Sequence, residues 1–407
     1  MRMKKVLYKL TGNKSLELII YALAAFIIIM INIFSENMDS IFDKTAFLSV
    51  IIAASVTTLA KGISKLIYNR IEDEMKLSVD YYELNRRYNC SPLMEIDGHT
   101  TIPVIKVVCS SNLSIVIEDK PLRSYQLPGI VIANYDELFS AHRSSNVYNN
   151  VNIRVDGWDV GEDGLFVINT SRTTYFNGLV TNRAIDYKLN SGLTLREILE
   201  SGPMVNNLEN SELSNHLGFN GFVETNDNFI IFVSRGKDVS VGKRTLGSSI
   251  AASLKTKYCL SEDGAFTEKG LRSSILSEIS DELGIPTKLL EHESLNIFGA
   301  YRDLVEGGKP QLIFYYKSTQ TFNEIEAAFK LPQKSKIKKK DRTVRDKQEY
   351  KMLKDGNEIL AIPKNDLFNN TTLSASSFLW NGRTWQIVPS TTASIALLKE
   401  FLSLGIR

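Results

Sequence analysis

The hydrophobic pattern changes character once along the chain. Residues 18–34 (LIIYALAAFIIIMINIF) hold 17 positions without a formal charge, and residues 45–60 (TAFLSVIIAASVTTLA) hold another 16. Neither run shows the polar stripe of an amphipathic helix. At about 1.5 Å of rise per residue, each run with its flanks nearly crosses a hydrocarbon core of roughly 30 Å. The pattern therefore predicts a membrane anchor over 1–70 made of two transmembrane helices, at 16–34 and 44–63. Arg2, Lys4, Lys5, Lys9 and Lys14 precede the first helix, and Lys61, Lys65 and Arg70 follow the second. The loop between them carries Glu36, Asp39 and Asp43 against Lys44. Basic flanks stay inside, so both termini are expected in the cytoplasm.

Beyond the anchor the pattern is that of a folded cytoplasmic protein. Ile63, Leu66, Ile67, Ile71, Met75 and Leu77 fall at mostly helical spacing and predict a continuous helix over 61–88, whose stretch 71–90 is a connector. From 91 to 215 short β-type runs take over, at 101–109, 113–117, 129–133, 151–155 and 164–168. Polar turn clusters separate them, and a short helix is expected at 193–199.

A second cytoplasmic region covers 216–407. Residues 221–223 and 229–233 form a hairpin about Asn226, Asp227 and Asn228, followed by a polar loop holding Gly236, Gly242 and Gly247. A helix over 270–285 carries Ile275, Ile279 and Leu283, and Gly284 with Pro286 stops it. Strands follow at 295–300 and 311–316 with a turn at 306–308, then strands at 358–363 and 384–388 and an amphipathic helix at 393–402. The run 334–347 (KSKIKKKDRTVRDK) has eight basic and two acidic residues. A solvated loop is its first reading and contact with anionic lipid the second. It contains no aromatic residue for base stacking, so no DNA or RNA polymer is expected as a partner.

Composition narrows the chemistry. Cys90, Cys109 and Cys259 have no paired spacing, and His99, His142, His216 and His292 are scattered, which excludes a zinc motif and suits a reducing compartment. A net charge of +2 excludes no class of partner, and 43% hydrophobic content is ample for a core. The carboxylates of Glu278, Asp281 and Glu282 stand at i, i+3 and i+4, on one helical face, the donor set a hard divalent cation takes.

The order of hairpin, glycine loop and acidic helix resembles a Nudix domain, whose box ends in the pattern REUxEExGU with U apolar. Here that half is Ser277, Glu278, Ile279, Ser280, Asp281, Glu282, Leu283, Gly284 and Ile285. The box arginine falls on Ser277 and the box glutamate on Lys269, and Gly264 matches the box glycine only with a one-residue shift. Two spans followed by such a domain resemble the membrane effectors of CBASS, the bacterial cyclic-oligonucleotide antiphage systems. The resemblance implies an α+β chain, with a two-helix transmembrane hairpin, a cytoplasmic β-rich region and a Nudix-like α/β/α sandwich. It implies an inner-membrane effector that binds a cyclic di- or trinucleotide, forms a homo-oligomer on activation and disrupts the membrane. A dianionic ligand with two bases calls for cations and aromatic platforms. The ligand-binding candidates are Arg235, Lys243, Arg244, Tyr301 and Arg302. The alternative stays open: a membrane-anchored hydrolase of a nucleoside diphosphate derivative, with Mg²⁺ on Glu278, Asp281 and Glu282.

Overall fold

The computed structural model describes residues 76–142, 149–236, 242, 244–254, 256–338 and 356–404, with the side chains of 163, 331–338, 356 and 357 left aside. The two apolar runs of the expected anchor lie outside these residues. Among the described residues no helix is long and apolar enough to cross a membrane. The longest, Phe322–Lys338, has 17 residues, spans about 25 Å and carries charges along its length. The expected transmembrane hairpin and inner-membrane location are corrected accordingly. The described chain is a mixed α/β structure with several sheets.

The helical connector is not continuous. Residues 78–80 are irregular, and Asp80 caps a new helix, α1 (Tyr81–Arg87), by accepting a hydrogen bond from the Glu83 N–H at 3.0 Å. An Asp at this position satisfies an orphan donor and starts a helix afresh, so the apolar spacing across 61–88 does not carry one helix through.

Strands β1 (Leu93–Ile96) and β2 (Thr100–Cys109) form a hairpin, and β3 (Ser114–Ser124) then leaves for a second sheet. Residues 129–133, expected as a strand, form a short helix, α2 (Gly129–Ala133). The Pro128 carbonyl accepts from the N–H groups of Val131 and Ile132 and so opens a helical turn. Helix α3 (Tyr135–Phe139) follows directly. Strands β4 (Val151–Val160) and β5 (Leu165–Thr174) complete a three-stranded sheet in the order β3-β5-β4. Helix α4 (Tyr175–Val180) is capped by Thr174, and α5 (Leu195–Leu199) has a capping box of Thr194 and Glu197.

The main sheet has nine strands. Its path is β1-β2-β10-β11-β6-β7-β12, with β8 on β7 and β9 on β6. The strands are β6 (Gly218–Glu224), β7 (Phe229–Arg235), β8 (Leu246–Ser248), β9 (Ile250–Ser253), β10 (Leu295–Asp303), β11 (Lys309–Lys317) and β12 (Gly356–Pro363). Only β11 and β6 run parallel; the other pairs are antiparallel. Helices α6 (Thr256–Cys259) and α7 (Glu268–Leu283) lie between β9 and β10 in sequence, and α8 (Phe322–Lys338) follows β11. Helix α8 takes in residues 334–338 of the expected basic loop, and 339–347 fall outside the described residues. Helix α9 (Lys364–Asn369), a meander of β13 (Thr371–Leu373), β14 (Ser377–Trp380) and β15 (Arg383–Gln386), and α10 (Pro389–Leu404) end the chain.

Alternation along the strands builds two cores. Phe219, Ile231, Leu312, Phe314 and Tyr316 pack in one core with Leu271, Ile275, Ile279 and Leu283 of α7. Their neighbours Phe222, Ile230, Phe232, Ile313 and Tyr315 pack in the other with Ile395, Leu398 and Leu402 of α10. The first core also takes Ile115, Ile153, Val155, Phe166 and Ile168 from the small sheet. The regions 91–215 and 216–407 therefore share both a core and, through the β2–β10 pairing, a sheet.

Candidate functional site

The acidic helix α7 starts where Thr267 accepts from the Gly270 N–H at 3.1 Å and stops at Gly284, which has a φ of 77°. A Cβ on Gly270 would lie 2.0 Å from the Cys259 carbonyl oxygen, so only glycine lets α7 rest on α6. Glu278 is 3% exposed, on the side that carries Ile275 and Ile279, while Asp281 and Glu282 are half-buried. Shared helical spacing does not make them converge. Among the described residues no group of three or more His, Cys, Asp and Glu side chains could hold a metal ion. The set Glu278, Asp281 and Glu282 does not fit Mg²⁺.

Lys269 and Ser277 have definite surroundings. Lys269 is exposed in the first turn, between Glu268 and Gly270. Ser277 hydrogen-bonds the Tyr258 hydroxyl together with Lys257, and these two bonds, that of Lys257 first, hold the phenol below its ordinary range. The Lys257 ammonium also stands 4.4 Å from the Tyr258 ring centroid. This corner of α7 thus presents a cation and an aromatic face, both exposed.

Just ahead of α7, residues 264–266 are tied to the small sheet. Asp119 accepts from the Phe266 N–H at 2.7 Å, and Arg172 donates to the Gly264 carbonyl at 2.8 Å. Burial pushes the Asp119 carboxyl up, but hydrogen bonds from Arg172, Phe266 N–H and Thr170 outweigh it and hold the group below the usual carboxylate range.

Four of the five ligand-binding candidates are described, and they separate into three places. Arg235 ends β7 half-buried; its Cδ would lie 3.2 Å from a Cβ on Gly247 and 3.8 Å from one on Gly242. Arg244 is exposed, with its N–H on the Gly236 carbonyl at 3.3 Å, and Lys243 lies outside the described residues. These arginines share the glycine loop, which meets Val388 in front of α10. Tyr301 is a core residue. Its hydroxyl accepts from Asn220 Nδ2 at 2.6 Å and donates to the Ser390 carbonyl at 3.4 Å, and burial raises its pKa far above the ordinary range. Arg302, the next residue of β10, faces the other way and is 5% exposed. It donates to the carbonyls of Gly308 at 2.9 Å and Asn206 at 2.7 Å, and burial lowers its pKa to about 10. Neither Tyr301 nor Arg302 presents an open face to a ligand.

A cluster of buried charges surrounds the turn between β10 and β11. Glu306 Oε2 lies 3.3 Å from Arg183 Nε and 3.4 Å from Lys309 Nζ. Arg183 also donates to the Tyr175 hydroxyl at 2.9 Å. Asn182 Nδ2 donates to the Glu306 carbonyl at 2.9 Å and to Asn215 Oδ1 at 3.0 Å. Burial pushes the Asp303 carboxyl up and brings Lys309 down to about 8. Beside this cluster Arg196 donates to Asp186 at 2.6 and 2.8 Å, to the Tyr88 hydroxyl at 3.0 Å, and to the carbonyls of Leu304 and Val305 at 2.7 and 2.8 Å. In sequence only a turn at 306–308 is read here. The signal was three charges, Asp303, Glu306 and Lys309, within the seven-residue span 303–309 between two strongly apolar strands.

Fold and site together define a mixed α/β unit with one partly exposed acidic helix, a basic glycine loop and a buried ionic cluster. No family model matches the chain, and no curated protein is recognisably similar to it.

Proposed function

We propose that the chain is an effector of a bacterial cyclic-oligonucleotide defence system, and that its region 216–407 is a degenerate Nudix-like domain binding a cyclic di- or trinucleotide without hydrolysing it. The observation that carries this reading is the state of α7. Glu278 is buried against the core, Asp281 and Glu282 are half-buried, and Ser277 is engaged with Tyr258. This corner offers a cation and a ring to a nucleotide, and Arg235 and Arg244 add positive charge on the glycine loop. The order of elements about the parallel β6–β11 pair, with α7 on one face and α10 on the other, supports the domain assignment. Hydrolysis assisted by Mg²⁺ would need three carboxylates on one cation, and their placement does not favour it.

Self-association on ligand binding belongs to the same proposal. A ligand drives it only through a difference in affinity between the single and the assembled chain. Calorimetric titration of the full chain with a panel of cyclic di- and trinucleotides tests the reading, with chromatography of the recovered ligand. Binding with the ligand returned intact supports it. Consumption of the ligand, or no binding across the panel, sinks it.

A further inference from the structure

We infer that His216 is an acid-sensitive latch at the seam between the two sheets. Residues 215–217 belong to both. The Val155 N–H donates to the Asn215 carbonyl at 3.1 Å, the Leu217 N–H donates to the Ile153 carbonyl at 2.8 Å, and Arg154 and His216 form a β-bridge. One residue later the chain enters β6 of the main sheet. A side chain at 216 is therefore fixed by both sheets.

The His216 ring is fully buried, and among the described residues neither of its nitrogens has a hydrogen-bond partner. It lies against α4: a Cβ on Gly178 would come within 2.4 Å of Nδ1, and the Tyr175 ring centroid is 6.3 Å away. Such close contact leaves no room for a bridging water on that side. The charged groups in range are Arg183 after α4 and Lys309 of β11, both cations, which share the single carboxylate Glu306. Asp303 acts on Lys309, the Arg154 guanidinium from β4 is engaged with Asp156, and His142 bonds the Leu179 carbonyl of α4. A proton on His216 would thus place a third cation in a dry space that holds two. Burial and these cations keep the ring neutral.

In an opened seam the ring meets water and regains an ordinary pKa of about 6.5. Opening then gains a factor of 1 + 10^(6.5 − pH), roughly 1.1 at pH 7.5 and roughly 11 at pH 5.5. The sign follows. The closed seam is favoured above about pH 6.5 and loses about fivefold in its closing equilibrium over the next unit downward, about tenfold between pH 7.5 and 5.5.

Hydrogen exchange with mass spectrometry on the full chain tests this, using protection factors corrected for intrinsic rates between pH 7.5 and 5.5. Peptides covering 175–184 and 213–218 should lose about tenfold in protection relative to peptides from β11, with onset near pH 6.5. His216→Leu and His216→Gln, neither of which titrates, should hold constant protection over the same range. Unchanged protection in the parent chain, or a folded variant that keeps the full fall, would overturn the latch. Should both variants fail to fold, the onset in the parent chain decides. A fall that begins only near pH 4–5 belongs to carboxylates and refutes the assignment.

Discussion

The guanidinium of Arg172 grips the carboxylate of Asp119 through two hydrogen bonds, Nη1 to Oδ1 at 2.7 Å and Nη2 to Oδ2 at 2.6 Å. Both residues reach beyond each other, to the Gly264 carbonyl and the Phe266 N–H, and so hold the residues directly before the cap of α7. The acidic helix is set in place from the neighbouring sheet as well as from its own.

Breaking this buried pair should cost heavily. Arg172→Ala leaves the buried Asp119 carboxylate without its cation, held only by the Phe266 N–H and the Thr170 hydroxyl, and is expected to destabilise the protein by about 3 kcal/mol in chemical denaturation. Because the folded Asp119 carboxyl is held below its usual range, its contribution is present above about pH 4 and is lost as pH falls through the folded value. Asp119→Asn should flatten that acid limb.

The end of α7 depends on its left-handed residue. Gly284 has a φ of 77°, and a Cβ there would also sit 2.7 Å from the Ala328 carbonyl oxygen. Gly284→Ala should lower stability by at least the 1–2 kcal/mol or so of left-handed backbone strain, seen as a fall in Tm.

Ligand contacts should divide along the line between loop and core. The double change Arg235→Ala and Arg244→Ala removes two charged donors, each worth about 1.5–3 kcal/mol if it bonds a phosphate. Affinity for the cyclic nucleotide should fall by more than tenfold by calorimetry. Tyr301→Phe should leave affinity unchanged and act on stability alone, because its hydroxyl serves Asn220 and Ser390.

Turnover should be absent. With Glu278 buried, hydrolysis of ADP-ribose, dinucleoside polyphosphates or nucleoside triphosphates with Mg²⁺ is expected to be negligible. A rate of roughly 1–10³ per second, abolished in Glu278→Gln, would contradict this.

Much of the strand and helix order was legible because burial imposes its period. Val104, Phe166, Ile231 and Phe314 sit in runs whose alternation marks strands, and Gly284 marks a helix end. Alternation names faces but not partners, so the pairing of β2 with β10 could not be read. Residues 129–133 misled because their β-branched content outweighed the turn opened at Pro128. The buried charges were hidden for a different reason. Arg196, Lys309 and Glu306 are residue types that normally face water, and only tertiary structure shows them enclosed. In the candidate site, Arg244 was found at the surface and Arg235 half-buried, whereas Tyr301 went to the core.

The β2–β10 pairing has a consequence for anyone dividing the gene. A fragment starting at residue 216 would keep β10 but lack the strand that covers it. Backbone donors and acceptors along 299–303, where β2 pairs, would stand bare. Such a fragment would tend to recruit a foreign strand and clump in solution. Supplied with a separately made piece ending at residue 215, it could be rescued by strand donation. The chain thus has a natural cut for a two-piece reporter, whose signal would depend on β2 finding its place.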